Sequence, residues 1–583
     1  MTINIAGQTG GKRAQPVSFD GCVGIFHPAQ GDTRQDTAVL FMSPWGMEEL
    51  CSRKFYRLVA ERLGAAGIAS LRFDYHGTGD ALDPDDTGED ADWSWSAQSA
   101  LRSLHRLSGA SRIVVVAQGL GCLIALQAFA GEATISGMAL LAPVVSGRGY
   151  LRELAMWSSM IDDGLGLRAE QRLSTSGSIA GMEMPAGIAE KIKKANLSNP
   201  SVLPAERLLV LTRPGRVAED DFARHLQSLG GDVDVAAFSG YDDLVSSPTL
   251  SKMPEHVVSH IVDWATSQAN VSDGAEPVDD RIISVGQAGR GFFEQPVQFG
   301  DNGRLFGVLC QPSDDAASSS VLFLGAAYDR HAGWGRLSVK MARELARGGI
   351  ASLRFDVANV ADSPPVAGVP EQVLYDVAQN DDVVAAVDFL SAQAGGAIVA
   401  AGRCSGAYLA FNGAIADDRI RSVVAVNPVV FHWLKGRSVD EALHKRPRSF
   451  GEYRQRFLQG STFKRLFSGD VDVFSAVLNI IKATAKKVST KTARLFRRNS
   501  EEGRAVYSAF DRLRASGTVV SLLYSDNDDG LEHFRYYFDS DGRGLSSYPN
   551  ASVTIIPDAD HNLSTPQARA VYLDTVRRLA SQP

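Results

Sequence analysis

Short, continuous apolar runs alternate along this chain with longer segments whose apolar residues recur at helical spacing. In the second half the runs are VLFLG (321–325), IASLRFD (350–356), SVVAVNPVV (422–430), TVVSLLYSD (518–526) and SVTIIPDADH (552–561). Between them, 337–347, 377–393 and the YLAFNGAIA stretch carry helical spacing. The first half follows the same order through AVLFMSP, ASLRFDYHG, RIVVVAQG, GMALLAPVV, RLLVLTRP and VDVAAFSG. Apolar, β-branched runs of this length without polar alternation predict strands buried on both faces. The fold class is therefore α/β, a mainly parallel sheet covered by helices.

The order repeats because the chain repeats. GIASLRFD at 67–74 returns unaltered at 349–356, and QPVSF at 15–19 returns as QPVQF at 295–299. Two matches at nearly one offset predict two tandem copies of one domain, 1–267 and 282–583, joined by a polar Ser-, Gly-, Pro- and Asp-rich linker at 268–281. A chain of 583 residues is too long for one growing core, which agrees.

Composition narrows the classes. With 44% hydrophobic and 22% charged residues the chain is ordinary globular material. It has no leader-like apolar segment and no apolar run approaching a membrane span of about 18 residues, so a cytoplasmic protein is expected. The five cysteines (22, 51, 122, 310 and 404) are scattered, without the spacing of a disulfide framework or a zinc site. There is no HExxH, and the glycines at 402–406 lack GxGxxG order, so no metal or organic cofactor is expected.

Three features coincide in the second half: a Gly-x-Cys-x-Gly turn after an apolar run (Gly402 to Gly406), acids after a later strand (Asp526, Asp528, Asp529) and His561 after the last one. With RFDYHGTGD in the first half, this order resembles the α/β-hydrolase superfamily, once per half. GRCSGAYLAF followed by a Tyr- and Arg-rich cap is similar to hydrolase-like proteins found beside bacterial surface-polysaccharide systems. At a strand-to-helix nucleophile turn the residues two before and two after the centre must be small, because backbone passes close by. Centring on Cys404 puts Gly402 and Gly406 there; centring on Ser405 would put Arg403 and Ala407 there, so the register selects Cys404. The resemblance implies His561 as base and Asp528 as its orienter, with Asp526 and Asp529 as alternatives. It also implies backbone oxyanion donors at Ser405 and Ala326. His331, in AAYDRHAGW, is either a second polar group at the mouth of the site or an ordinary loop histidine.

The first copy lacks each of these parts. Gly119 stands at the nucleophile position, Asp242 aligns with His561, Pro44 has no N–H to offer where Ala326 does, and Cys122 lies three residues past the turn centre. This half is expected to be catalytically inactive, with a cap at about 146–200.

Charge adds one asymmetry. The net charge is −8, yet 431–515, a cap inserted over the expected site, holds 19 Lys and Arg against 8 Asp and Glu. Such a cap suits an acidic partner: a polysaccharide, an acyl carrier protein or an anionic membrane surface. Nucleic acid is not expected, for want of an aromatic-interleaved or helix-turn-helix signal. The expected function is a cysteine-dependent hydrolase or acyltransferase acting on an ester or thioester substrate. The alternative is a catalytically inert tandem scaffold that binds its partner through the basic cap.

Overall fold

The computed structural model describes residues 13–31, 35–87, 92–173, 177–270, 286–313, 319–366, 368, 374–375, 378–433, 500–539 and 543–582. Most of the linker and residues 434–499 of the basic cap lie outside this set.

The first half builds an eight-stranded sheet from β1 (Gln15–Phe19), β2 (Cys22–His27), β3 (Thr37–Met42), β4 (Ala69–Phe73), β5 (Arg112–Gln118) and β6 (Ile135–Leu141), followed, after a two-stranded hairpin of β7 (Ser178–Ile179) and β8 (Met182–Glu183), by β9 (Arg207–Thr212) and β10 (Asp232–Ala237). The spatial order is β1-β2-β4-β3-β5-β6-β9-β10. The second half repeats it with β11 (Gln287–Gly289), β12 (Phe292–Phe299), β13 (Leu305–Pro312), β14 (Ser320–Leu324), β15 (Ala351–Phe355), β16 (Ile398–Arg403), β17 (Ile420–Val426), β18 (Val519–Ser525) and β19 (Ala551–Ile556). Its order is β11-β12-β13-β15-β14-β16-β17-β18-β19. In both sheets the first strands are antiparallel and the rest parallel.

The strands stop earlier than hydropathy alone suggests. β17 ends at Val426 and β19 at Ile556, and the apolar residues beyond them belong to loops at the carboxyl edge. Two glycines mark the duplicated pairing of an antiparallel strand with the first strand of the parallel set. A Cβ at Gly24 would stand 2.5 Å from the Arg72 carbonyl oxygen, and one at Gly307 would stand 2.6 Å from that of Arg354, so neither site admits a side chain. Helices cover both faces. Leu337–Arg347 buries Leu337, Met341 and Leu345, one face at four-residue spacing, each worth about 1.5–3 kcal/mol of transfer free energy. Among the described residues no helix is long and apolar enough to cross a membrane.

The halves meet through a buried ionic cluster related by the same offset as the sequence repeat. Arg72 of the first half bonds Asp362 of the second at 2.6 Å, and their counterparts reverse the relation, Arg354 bonding Asp80 at 3.0 Å. Arg53 adds bonds to Asp362 and Asp74, and Arg330 bonds Asp74 and Asp80 at 2.6 and 2.7 Å. All these groups are at most 4% exposed. Ion pairs this deep lose much of their Coulomb energy to desolvation, so their main effect is on geometry: a rotated interface would strand a buried charge. His331 belongs here and not at the mouth of a catalytic site. Its Nε2 lies 2.7 Å from Asp80 and its Nδ1 3.0 Å from Asp356. Burial opposes its charge, but Asp356 and Asp80 hold the imidazole up to about 9.

Candidate active site

β16 runs into the helix Ser405–Ala416 through one residue, Cys404, held at φ 55° and ψ −118°. A non-glycine residue in that region is strained by about 1–3 kcal/mol, and the surroundings dictate the strain. A Cβ at Gly402 would meet the Gly406 carbonyl oxygen at 2.3 Å, and a Cβ at Gly406 would meet that of Leu324 at 2.2 Å. The turn therefore closes only with glycine on both sides, and its central side chain is that of Cys404, at the amino end of a helix, where the dipole favours an anion. Of the five cysteines Cys404 alone is not fully buried.

The loop after β19 brings His561 to this turn, and the loop after β18 brings Asp528. His561 Nδ1 lies 2.5 Å from Asp528 Oδ2, which leaves Nε2 for the thiol side. Desolvation pulls the imidazole down, yet the Cys404 sulfur, to which it is also hydrogen-bonded, and Asp528 together raise it to about 9. Asp528 is fixed as well, because its other oxygen accepts the Gly530 N–H at 2.8 Å and caps the helix Asp529–Phe538. Of the other two acids, Asp526 accepts the Asp558 N–H at 3.1 Å, and Asp529 begins that helix. Neither has a bond to His561.

The loop after β14 completes the surround. Ala327, at φ 48°, donates its N–H to Ser405 Oγ at 2.5 Å, so the amides of Ala326 and Ser405 flank a hydroxyl bond that locks loop to turn. Four residues not anticipated from sequence tie these loops together. Arg403, next to Cys404, reaches Asp329 in the loop after β14 at 3.0 Å and Asn562, next to His561, at 2.5 Å. Asn427 donates to the His561 carbonyl oxygen at 3.0 Å and accepts the Ser525 N–H at 2.8 Å. Only Arg403 carried a signal, an arginine in an otherwise small-residue turn; Asp329, Asn562 and Asn427 had none.

The first half holds the same turn with nothing on it. Gly119 adopts φ 54° and ψ −121°, and a Cβ at Gly121 would meet the Met42 carbonyl oxygen at 2.2 Å, as at Gly406. The space a nucleophile would fill is taken by Glu48, whose carboxylate oxygen would stand 2.4 Å from a Cβ on Gly119. Glu48 accepts from Gln118 at 2.9 Å and from the Tyr241 hydroxyl at 3.0 Å. Burial raises its carboxyl, and Gln118, Arg213 and Tyr241 partly offset that. In this loop it is Tyr241 that reaches Glu48, while Asp242, the residue aligned with His561, is exposed. The cap of this half leans on the other one: Arg168 lies 3.1 Å from Asp558, and Gln171 donates to the Asp558 carbonyl oxygen at 2.6 Å, three residues before His561.

Residues 321–574 match a family model described as the alpha/beta hydrolase family. No curated protein is significantly similar to the chain. Among solved structures, a cold-adapted esterase from an Arctic intertidal metagenomic library is 14% identical, over 51% of this chain and 97% of its own, with a TM-score of 0.28. A dienelactone hydrolase from Anabaena variabilis is 14% identical, over 49% and 96%, with a TM-score of 0.30. A ferulic acid-bound esterase from Butyrivibrio proteoclasticus is 14% identical, over 47% and 93%, with a TM-score of 0.29. With its repeated strand order and the family match at 321–574, the second half of this chain has an α/β-hydrolase-like fold.

Proposed function

We propose that the second half is a cysteine-dependent acyl hydrolase or acyltransferase acting on an ester or thioester, and that the first half, 1–267, is its catalytically inactive partner domain. The observation that carries this reading is the line from Asp528 Oδ2 to His561 Nδ1, 2.5 Å, ending at a thiol on a strained turn. The raised imidazole of His561, hydrogen-bonded to the Cys404 sulfur, fits a thiolate–imidazolium pair as the starting state.

The thiolate sulfur attacks the acyl carbon, and the carbonyl electron pair moves onto oxygen, held by the N–H groups of Ser405 and Ala326. Collapse breaks the bond to the leaving alkoxide or thiolate, which takes the proton from His561 Nε2. The neutral imidazole then removes a proton from water or another acceptor, which attacks the thioester and releases Cys404 as thiolate. Asp528 keeps Nδ1 protonated throughout and does not itself take up the proton. A thioester intermediate makes transfer to an acceptor other than water accessible.

The experiment is intact-protein mass spectrometry after brief incubation with a small activated ester. One acyl group on the wild type, located to the Cys404 peptide and absent from Cys404→Ala, is the expected result. A folded wild type that gains no acyl group and turns over no ester would overturn the reading and leave an inert scaffold.

A further inference from the structure

A cavity of about 650 Å³ opens at the carboxyl ends of β3 and β4, away from Cys404. Open α/β sheets bind small molecules at that edge, and this volume suits a drug-sized ligand. Its walls are largely apolar: Trp45, Phe73 and Tyr75 from the first sheet, Met184 and Ala189 from the first cap. The second half closes one end with Arg336 and Lys340.

The charges around the cavity are mostly matched. Asp74 is bonded by Arg53 and Arg330, and Asp83 by Arg336 and Arg343. Arg336 spends its remaining donors on the carbonyl oxygens of Gly77, Gly79 and Ala81. Lys340 differs, making no ion pair or side-chain hydrogen bond among the described residues. Neither has Arg569 a carboxylate within ion-pair distance among the described residues; its Nε donates to the Leu563 carbonyl oxygen at 2.9 Å. Desolvation, then Arg569 and Arg336, hold the Lys340 ammonium below its ordinary value, against the opposing pull of Asp83 and Glu183. Glu183 is the carboxylate that both Lys340 and Arg569 sense. Beside them the Trp334 Nε1–H is buried without a hydrogen-bond partner, and a Cβ on Gly181 of the hairpin turn would lie 3.4 Å from it and 2.9 Å from Arg569 Nη2. Of the five carboxylates that line the cavity, Glu49, Asp74, Asp83 and Glu190 are paired with cations, which among the described residues leaves Glu183 beside two cations without a carboxylate partner, Lys340 and Arg569, and a spare Trp334 donor.

We propose that this cavity binds an amphipathic monoanion, a carboxylate on an apolar chain or ring, with its head group at Lys340 and Arg569 and its body against Trp45, Tyr75 and Met184. The site spans both halves, and it gives the catalytically empty domain a ligand of its own. It does not depend on the chemistry at Cys404.

Titration calorimetry of the full chain with decanoate, below its micellar range, tests this. One saturable site is expected, with decanol and the Lys340→Ala protein each weaker by about tenfold, the loss of one charge-assisted contact. Ala186 lines the cavity and is exposed, so Ala186→Trp blocks the opening with little risk to folding, and its decanoate binding should vanish with the melting curve unchanged. Absence of saturable binding to the wild type, equal affinity for decanol, or decanoate binding that survives both substitutions would overturn the proposal.

Discussion

Arg72 bonds Asp362 across the junction, and Arg354 bonds Asp80 in the opposite sense, each arginine and each aspartate being the offset-282 counterpart of the other. This is how a two-fold homodimer would look if its subunits were fused: one surface patch used twice. Both pairs are almost fully buried, so removing one partner leaves an uncompensated charge. Asp362→Ala should cost about 3–5 kcal/mol of unfolding free energy, read from denaturant melts, because it strands the buried Arg72 and takes from Arg53 one of its carboxylates, leaving it Asp74. Asp362→Ala combined with Arg72→Leu should recover part of that loss, whereas two independent surface positions would show additive effects.

His331 makes the same junction sensitive to pH. Its imidazole sits between Asp80 and Asp356, with Arg330 and Arg354 on the first of these, and is raised to about 9 from an unfolded value near 6.5. The folded state binds the proton more tightly than the unfolded one. The contribution is therefore complete below about 6.5 and is lost as pH rises through about 9, on the order of 3 kcal/mol in all. Thermal melts from pH 6 to 10 should fall more steeply for the wild type than for His331→Gln. Parallel curves would remove the histidine from the account.

Hydropathy exposed the alternating elements and the internal repeat exposed the two sheets, because buried parallel strands leave continuous apolar runs and a duplicated strand pairing keeps the same residues at its contacts. The register of the turn at Cys404 was legible for a steric reason: Gly402 and Gly406 stand where backbone leaves no room for Cβ. The junction was not legible, since the residues that meet there, Arg53, Asp74, Asp80, Arg330 and Asp362, lie in loops and helices far apart in the chain, and charge in a sequence reads as solvated surface. Tyr241 was hidden for a related reason. Alignment on shared Leu and Pro favoured Asp242, but the short helix Tyr241–Leu244 turns the neighbouring tyrosine inward.

Asp528→Asn should separate positioning from folding at the proposed catalytic centre. The asparagine can still cap the helix Asp529–Phe538 through its carbonyl oxygen, but it gives His561 no negative partner and lets the imidazole rest in the wrong tautomer. The rate of acylation by an activated ester should fall about 10²–10⁴-fold. The upper limb of its pH profile, expected in the wild type near 9 from loss of the His561 proton, should move to lower pH. A variant with an unchanged profile would mean that Asp528 does no more than cap its helix.

Gly119→Ala tests whether the first half's turn is an emptied site or a filled one. The new Cβ would lie 2.4 Å from a Glu48 carboxylate oxygen and would sit at φ 54°, so the carboxylate must swing away from Gln118 and Tyr241. Strain and the broken buried bonds together should cost about 2–4 kcal/mol in a denaturant melt, while acylation at Cys404 stays unchanged. Glu48→Gln should be milder, because burial already raises the Glu48 carboxyl and an amide oxygen can still accept from Tyr241. The double variant Gly119→Ala, Glu48→Ala should then recover stability relative to Gly119→Ala alone, since it opens the space that the Cβ needs. If the two losses simply add, Glu48 does not occupy the nucleophile's place, and the turn at Gly119 is rigid for some other reason.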